Sequence, residues 1–283
     1  MPTEFTCPPC GNTTEVADQH VGLSVPCATC GKEVSLVPEE KTRLIGCWRV
    51  ALTTLAIVFV GAVIIVVPAV RSAREEARRD GCCWRPKQMG LALQNYKAVH
   101  GSFPPAHTVD ENGNRLHSWR TLVLPYMEEE EKALYDQFNL EEPWNSPTNL
   151  QVLADNPIPD RYRCNVATGP PNETSLVMVV GSNTMAPGER GRKLSELTDD
   201  PSRTIMVVEI TDSGITWTEP RDLSVDRMSF GVNDGKRGIS SLHVGGAWVL
   251  MADGSVEFLD ESTAPEVIRE MITITPVEPM TGH

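Results

Sequence analysis

Residues 50 to 70 read VALTTLAIVFVGAVIIVVPAV, a run with no charged side chain and only two threonines to offer water. As a helix it rises ~1.5 Å per residue and reaches about 30 Å, the thickness of a bilayer's hydrocarbon core. A buried core helix is the competing reading, but no amphipathic face can be drawn on this stretch. A cleaved signal peptide is excluded as well, because the run is too long and some 45 residues of cysteine-patterned sequence precede it. The run therefore reads as one transmembrane helix, and it divides the chain into a short and a long part.

The short part carries Cys7-Pro-Pro-Cys10 and Cys27-Ala-Thr-Cys30, a C-x2-C-x16-C-x2-C pattern in which a glycine follows each pair. Two intervening residues let both sulfurs of a tight turn face one tetrahedral ion, and the glycine relieves the backbone where its amides point at the thiolates. Four thiolates leave no open coordination position. The expected cofactor is thus a structural Zn2+ on Cys7, Cys10, Cys27 and Cys30, holding residues 1–40 as a zinc ribbon too small to bury an adequate core. A redox C-x-x-C is the alternative, and two matched pairs argue against it. Basic residues are few here, so a protein partner is expected at the ribbon. Residues 41–49 read as a juxtamembrane linker.

Of the formal net charge of −13, residues 1–70 carry four basic against six acidic groups, which leaves −11 on the remainder. Nucleic-acid binding relies on Lys and Arg neutralising phosphates, so no nucleic acid is expected as a partner. Past the membrane run, SAREEARRD has the composition of an exposed helix continuing into water. Gly81 and Pro86 are expected to interrupt it. A second helical stretch carries Met89, Leu91, Leu93, Tyr96 and Val99, and SFPPAH stops it. HSWRTLVLPYMEEEEKALYDQF reads as a helix broken at Pro125. Residues 145–171 read as loop from their Pro, Asn and Asp content. SLVMVVGS, RTIMVVEI, GAWVLM and SVEFL read as strands, with Asp253-Gly254 turning the last two into a hairpin. APEVIREMITI closes residues 71–275 as a helix, and residues 276–283 read as a disordered tail.

The stretch PAVRSAREEARRDGCCWRPKQMGLALQNYKAVHGSFPP resembles the start of the planctomycete-type pilin-like domain-of-unknown-function family 1559. His243, nine residues, and then Asp253-Gly254 match the H-x9-DG box that names the carboxy-terminal region of that family. VVGSNTMAPGERGRKLSELTDDPSRTIMVVEI and WTEPRDL are similar to family sequence too. The resemblance implies an α+β fold in which a long amino-terminal helix, half in the membrane, packs its second half under an antiparallel sheet. It implies no established activity. Cys82 and Cys164 align with family cysteines, and a domain outside the cytoplasm would allow a disulfide between them, with Cys83 as a substitute for Cys82 or free thiols as the alternative.

One departure from the family concerns processing. Prepilins of this kind are cut after a glycine followed by Phe-Thr-Leu, with a glutamate five residues into the mature helix. Here Gly46 is followed by Cys47-Trp48-Arg49-Val50-Ala51. The chain is therefore expected to stay uncleaved and anchored. His243 and Asp253 are types common in acid–base work, yet no nucleophile, second carboxylate or glycine-rich loop accompanies them. They are expected to be structural, with Gly254 in the turn and His243 capping or hydrogen-bonding a loop beside it, and no enzyme activity is expected. Lys41, Arg43 and Arg49 before the span against Arg71, Arg74, Arg78 and Arg79 after it would place the large domain inside on a simple count. Family resemblance and the reduced thiolates of the ribbon argue for a cytoplasmic N-terminus and an extracytoplasmic domain at the inner membrane. Two functions follow from this layout. One is a structural or adaptor protein whose ribbon docks a partner, with a second copy of the chain left open. The other is a ligand-binding or sensory domain, with contacts on residues 145–171, that signals through the helix.

Overall fold

The computed structural model describes residues 3–20, 22–36, 40–156, 162–164, 167–235 and 237–275. The chain divides into two units, Met1–Arg71 and Ser72–His283. The expected tail at 276–283 lies outside the described residues.

Two short antiparallel hairpins build the first unit, β1 (Thr3–Thr6) with β2 (Thr13–Val16) and β3 (Ser24–Pro26) with β4 (Glu33–Ser35). Among its described residues only Cys7, Val34 and Leu36 are buried apolar groups. Three such side chains cannot offset the entropy of ordering some 30 residues, so this unit needs a crosslink.

Helix α1 runs Glu40–His100. Residues 41–49, expected as a linker, are thus already helical. From Leu52 to Val70 no side chain is buried, and Ile65 is 73% exposed. An uncharged apolar surface this long has no stable place in water, and the helix is long and apolar enough to cross a membrane. Neither Gly81 nor Pro86 interrupts α1, contrary to expectation. Cys82, Cys83, Pro86, Met89, Gly90, Ala92 and Leu93 are all buried, a stripe at helical spacing, and its packing outweighs the one backbone bond that Pro86 deletes. Gly101, at φ +74°, ends the helix by donating its N–H to Lys97 O at 2.8 Å.

In the second unit β5 (His107–Val109) pairs with β6 (Arg115–Ser118), followed by α2 (Trp119–Leu122) and α3 (Glu129–Tyr135), which are separate helices flanking Pro125. The core sheet contains five strands in the order β11 (Val256–Asp260), β10 (Gly246–Met251), β8 (Ile205–Glu209), β7 (Leu176–Val180) and β9 (Leu223–Ser224). Its first four strands are antiparallel, and two-residue β9 adds a parallel edge, so the sheet is mixed. The fold is α+β.

Both faces of this sheet are covered at β7, β8 and β10, which explains why those strands read as nearly unbroken apolar runs. Met178, Met206, Val207 and Leu250 pack with Met89, Ala92 and Leu93 of α1, whereas Val177, Val208, Val249 and Met251 pack with Ile268 and Ile272 of α5 (Pro265–Ile272). Met206 and Val207 share a face because a bulge shifts the β8–β10 register between Leu250 and Met251.

Residues 145–171 are not all loop. Helix α4 spans Pro147–Asp155, with Ser146 Oγ accepting the Asn149 N–H at 3.2 Å and proline at the first helical position. His107 and His117 are both buried, and desolvation holds both below the usual histidine range. His117 Nε2 contacts Glu142 O at 2.8 Å as the neutral ring's donor. An unfolded histidine binds a proton near pH 6.5, and these two resist it. The unfolded chain thus gains protons first, and stability present above that pH is lost as pH falls through and below it. His117→Gln should flatten the decline of urea midpoints between pH 6.5 and 5. An unchanged slope would contradict this assignment.

Candidate metal centre and the helix clamp

Each C-x-x-C pair sits at the turn of one hairpin, in the same local conformation. Cys7 N–H donates to Asn12 O and Gly11 N–H to Cys7 O, and Cys27 and Gly31 repeat both bonds to Lys32 O and Cys27 O, all at 2.8–2.9 Å. Gly11 and Gly31 take φ of +72° and +70°, where a Cβ would be strained. The two turns bring four sulfurs together, Cys7 to Cys30 at 3.9 Å and Cys10 to Cys27 at 3.8 Å, all within 4.8 Å of one another. A tetrahedron with ~2.3 Å metal–sulfur bonds has edges of about 3.8 Å, so the sulfurs already have the spacing of a four-thiolate site. Backbone amides of Cys30 and Thr29 pull the Cys27 thiol down to about 6, and desolvation pushes Cys7 up to about 12. The four-cysteine cluster can hold a metal ion.

A second cluster lies in the larger unit. Cys82 on α1 is disulfide-bonded to Cys164, with Cα atoms 5.9 Å apart, and Cys83 is a free, buried thiol. His243, 2% exposed, places Nε2 3.5 Å from Cys164 Sγ and Nδ1 3.3 Å from Glu75 Oε1 of α1. Hence the His243 ring sits between the helix and the disulfide, with Nδ1 against Glu75 and Nε2 against Cys164 Sγ, and not on a loop beside the Asp-Gly turn. Glu209, at the end of β8, completes the group. Its Oε2 accepts Trp248 N–H at 3.1 Å, and burial pushes its carboxyl up to about 7. Sequence reasoning missed Glu75 and Glu209. The available signal for Glu209 was a lone acid ending the apolar run TIMVVE.

The H-x9-DG residues do not converge on one point. They bracket β10, and both ends dock on α1. At one end His243 meets Glu75, and Arg79 donates to Val244 O. At the other, Asp253 Oδ1 accepts the N–H and Oγ of Ser255 to shape the turn, and Gln94 Nε2 donates to Ala252 O at 2.9 Å. A Cβ on Gly254, at φ +94°, would lie 3.2 Å from Gln94 Cγ, and one on Gly90 would lie 2.8 Å from Leu250 Cδ1 and 2.9 Å from Gly254 O. Gly90 therefore lets the helix backbone touch the turn. Gly90→Val should lower stability by about 2–3 kcal/mol through overpacking, measured by denaturant titration, while Leu91→Val on the exposed face should change it by less than about 1 kcal/mol. Equal effects would rule out the close approach.

No curated protein and no solved structure matches the chain. A family model described as protein of unknown function DUF1559 matches residues 71–168 and 156–266, which is most of the chain and includes both cysteines of the disulfide and the whole H-x9-DG box. On that match, the chain belongs to the DUF1559 family.

Proposed function

We propose that this is a non-enzymatic, uncleaved, single-pass protein of the inner membrane that joins a cytoplasmic zinc ribbon to a pilin-like extracytoplasmic domain. Its role in this reading is structural or adaptor. One observation carries it: α1 bears an uncharged, wholly unburied surface between a cluster of four free thiols and a domain crosslinked by a disulfide. Thiolate metal sites persist in a reducing compartment and disulfides in an oxidising one, and a membrane separates the two. The ribbon binds structural zinc and docks a protein partner of the secretion or assembly machinery. Its few basic groups support protein contact over nucleic acid.

Zinc removal provides one test. In the detergent-solubilised full chain, a chelator should abolish hydrogen-exchange protection over residues 3–36 and leave residues 82–275 unchanged, since ligation supplies most of the folding free energy of so small a unit. Protection that survives chelation would remove the metal from the account. The partner is tested by crosslinking in cells, comparing the native chain with Cys7→Ser/Cys10→Ser. Loss of secretion or assembly components in the variant supports the adaptor. Recovery of transcriptional or signalling regulators instead would favour the sensory reading. That second reading has one feature in its support, a cleft of about 560 Å3 whose lining holds Arg115, Arg221, Arg227 and Arg237 against two acids, Asp222 and Asp226, in an otherwise acidic domain. It lies away from the 145–171 segment named for ligand contacts.

A further inference from the structure

We propose that Cys82, Cys164, His243 and Glu209 form a second, redox-gated metal site, which binds a thiophilic divalent cation such as Zn2+ once the Cys82–Cys164 disulfide is reduced. One ligand atom from each residue, two sulfurs, a ring nitrogen and a carboxylate oxygen, lies within 4.8 Å of the other three, and all four residues are buried. A cavity of about 10 Å3 beside them is lined by three of the four, Cys82, Cys164 and Glu209, together with Arg85 and Trp248. This is about the space of one small ion or water.

A disulfide staple requires only its two sulfurs, and it gains nothing from an imidazole and a carboxylate buried against it. Burying such groups is unfavourable unless something pairs with them. The Glu209 carboxyl accepts from the Trp248 amide and from Ser241, both uncharged, and Arg85 is the cation on the wall of the cavity that Glu209 lines. A dication ligated there would add positive charge directly at the carboxylate. The histidine has a second feature of metal sites: one nitrogen faces the cluster while the other is held by a carboxylate, Glu75, which fixes the ring's orientation and raises its basicity as a ligand. Two thiolates, one imidazole and one carboxylate are a donor set that zinc accepts in tetrahedral geometry. The donors come from α1, the 162–164 segment, β8 and the residues leading into β10, so an ion here would replace the disulfide as the link between helix and sheet.

The chemistry balances with a dithiol as reductant. The dithiol closes to its own disulfide, and the two electrons and two protons it gives up convert Cys82–Cys164 to two thiols. Metal entry then displaces those two protons and forms two metal–sulfur bonds. Reoxidation expels the ion.

Cobalt(II) is a suitable probe because thiolate ligation gives it a near-ultraviolet charge-transfer band. The experiment uses the full chain in detergent with Cys7, Cys10, Cys27, Cys30, Cys47 and Cys83 changed to serine, so that only the proposed site can supply thiolate sulfur and failure of the ribbon reading has no bearing on it. After phosphine reduction one equivalent of cobalt should bind with this band, and the oxidised chain should show none. His243→Ala and Glu209→Gln should each weaken binding at least tenfold, and Glu75→Gln should do so about tenfold through the ring. Zinc should raise the thermal midpoint of the reduced chain and leave that of the oxidised chain unchanged. Absence of a cobalt band after reduction, binding indifferent to His243→Ala and Glu209→Gln, or a reduced chain that zinc does not stabilise would each overturn the proposal.

Discussion

Replacing Asp222 with alanine is expected to cost the larger unit about 3–5 kcal/mol, the range found when one partner of a buried ion pair is removed. Arg120 and Asp222 have side chains only 0% and 2% exposed, and they meet at 2.7 Å. Asp222 Oδ1 also accepts the Trp119 indole N–H at 3.0 Å and the Met178 backbone N–H at 2.9 Å. One carboxylate oxygen thus links α2, β7 and the segment leading into β9. Alanine would leave a guanidinium charged in the core, and the carbonyls of Leu176, Glu219 and Arg221 that it also contacts cannot neutralise it. For a unit of this size the thermal midpoint should fall by about 10 °C. The double variant Arg120→Met/Asp222→Leu should recover much of the loss, because an apolar pair of similar volume avoids the desolvation of both charges. A single-variant loss below about 1 kcal/mol would mean that the pair is not buried as described.

Loss of the disulfide should have an effect of similar size. The bond closes a loop with a sequence separation of 82, and the entropy such a crosslink removes from the unfolded chain corresponds to about 4.5 kcal/mol. Cys164→Ser, studied metal-free and without reductant, should therefore lower the denaturation midpoint, and the native chain with reductant should match it. Cys83→Ser should cost only about 1 kcal/mol, the burial of one hydroxyl, since Cys83 takes no part in the bond. If Cys83→Ser were the damaging substitution, the pairing would have to be reassigned.

Much of this fold is legible locally. The runs LVMVV, IMVVE and GAWVLM are strands because β-branched and apolar residues fill a sheet buried on both faces, and Asp253-Gly254 joins the last of them to the half-exposed edge strand VEFLD. The four-cysteine spacing likewise points to its own geometry, because each C-x-x-C turn is a local structure. What local reasoning misses is set by distant contacts. Pro86 reads as a breaker until the packing of Cys82, Met89 and Leu93 on the sheet is known to hold the helix straight through it. Helix α4 was hidden by proline and asparagine content, although Ser146-Pro147 is a helix start when read as a cap. Two-residue β9 has too little sequence to signal anything. Asp222 within EPRDL, Glu75 within SAREEA and Glu209 at a strand end look like ordinary surface acids, and only the folded chain places them against Arg120, His243 and the disulfide.

In the proposed topology α1 carries the chain across a membrane, with the four-cysteine unit on the reducing side and the disulfide-bonded domain on the other. Two exposed positions can report it, Glu15→Cys on β2 and Glu111→Cys in the turn between β5 and β6, each in a Cys47→Ser/Cys83→Ser background and read as labelling above that of the background chain. With the outer membrane made permeable and the inner membrane intact, a membrane-impermeant maleimide should label Glu111→Cys and should reach Glu15→Cys only after lysis. Labelling of both before lysis, or of Glu15→Cys alone, would contradict the account.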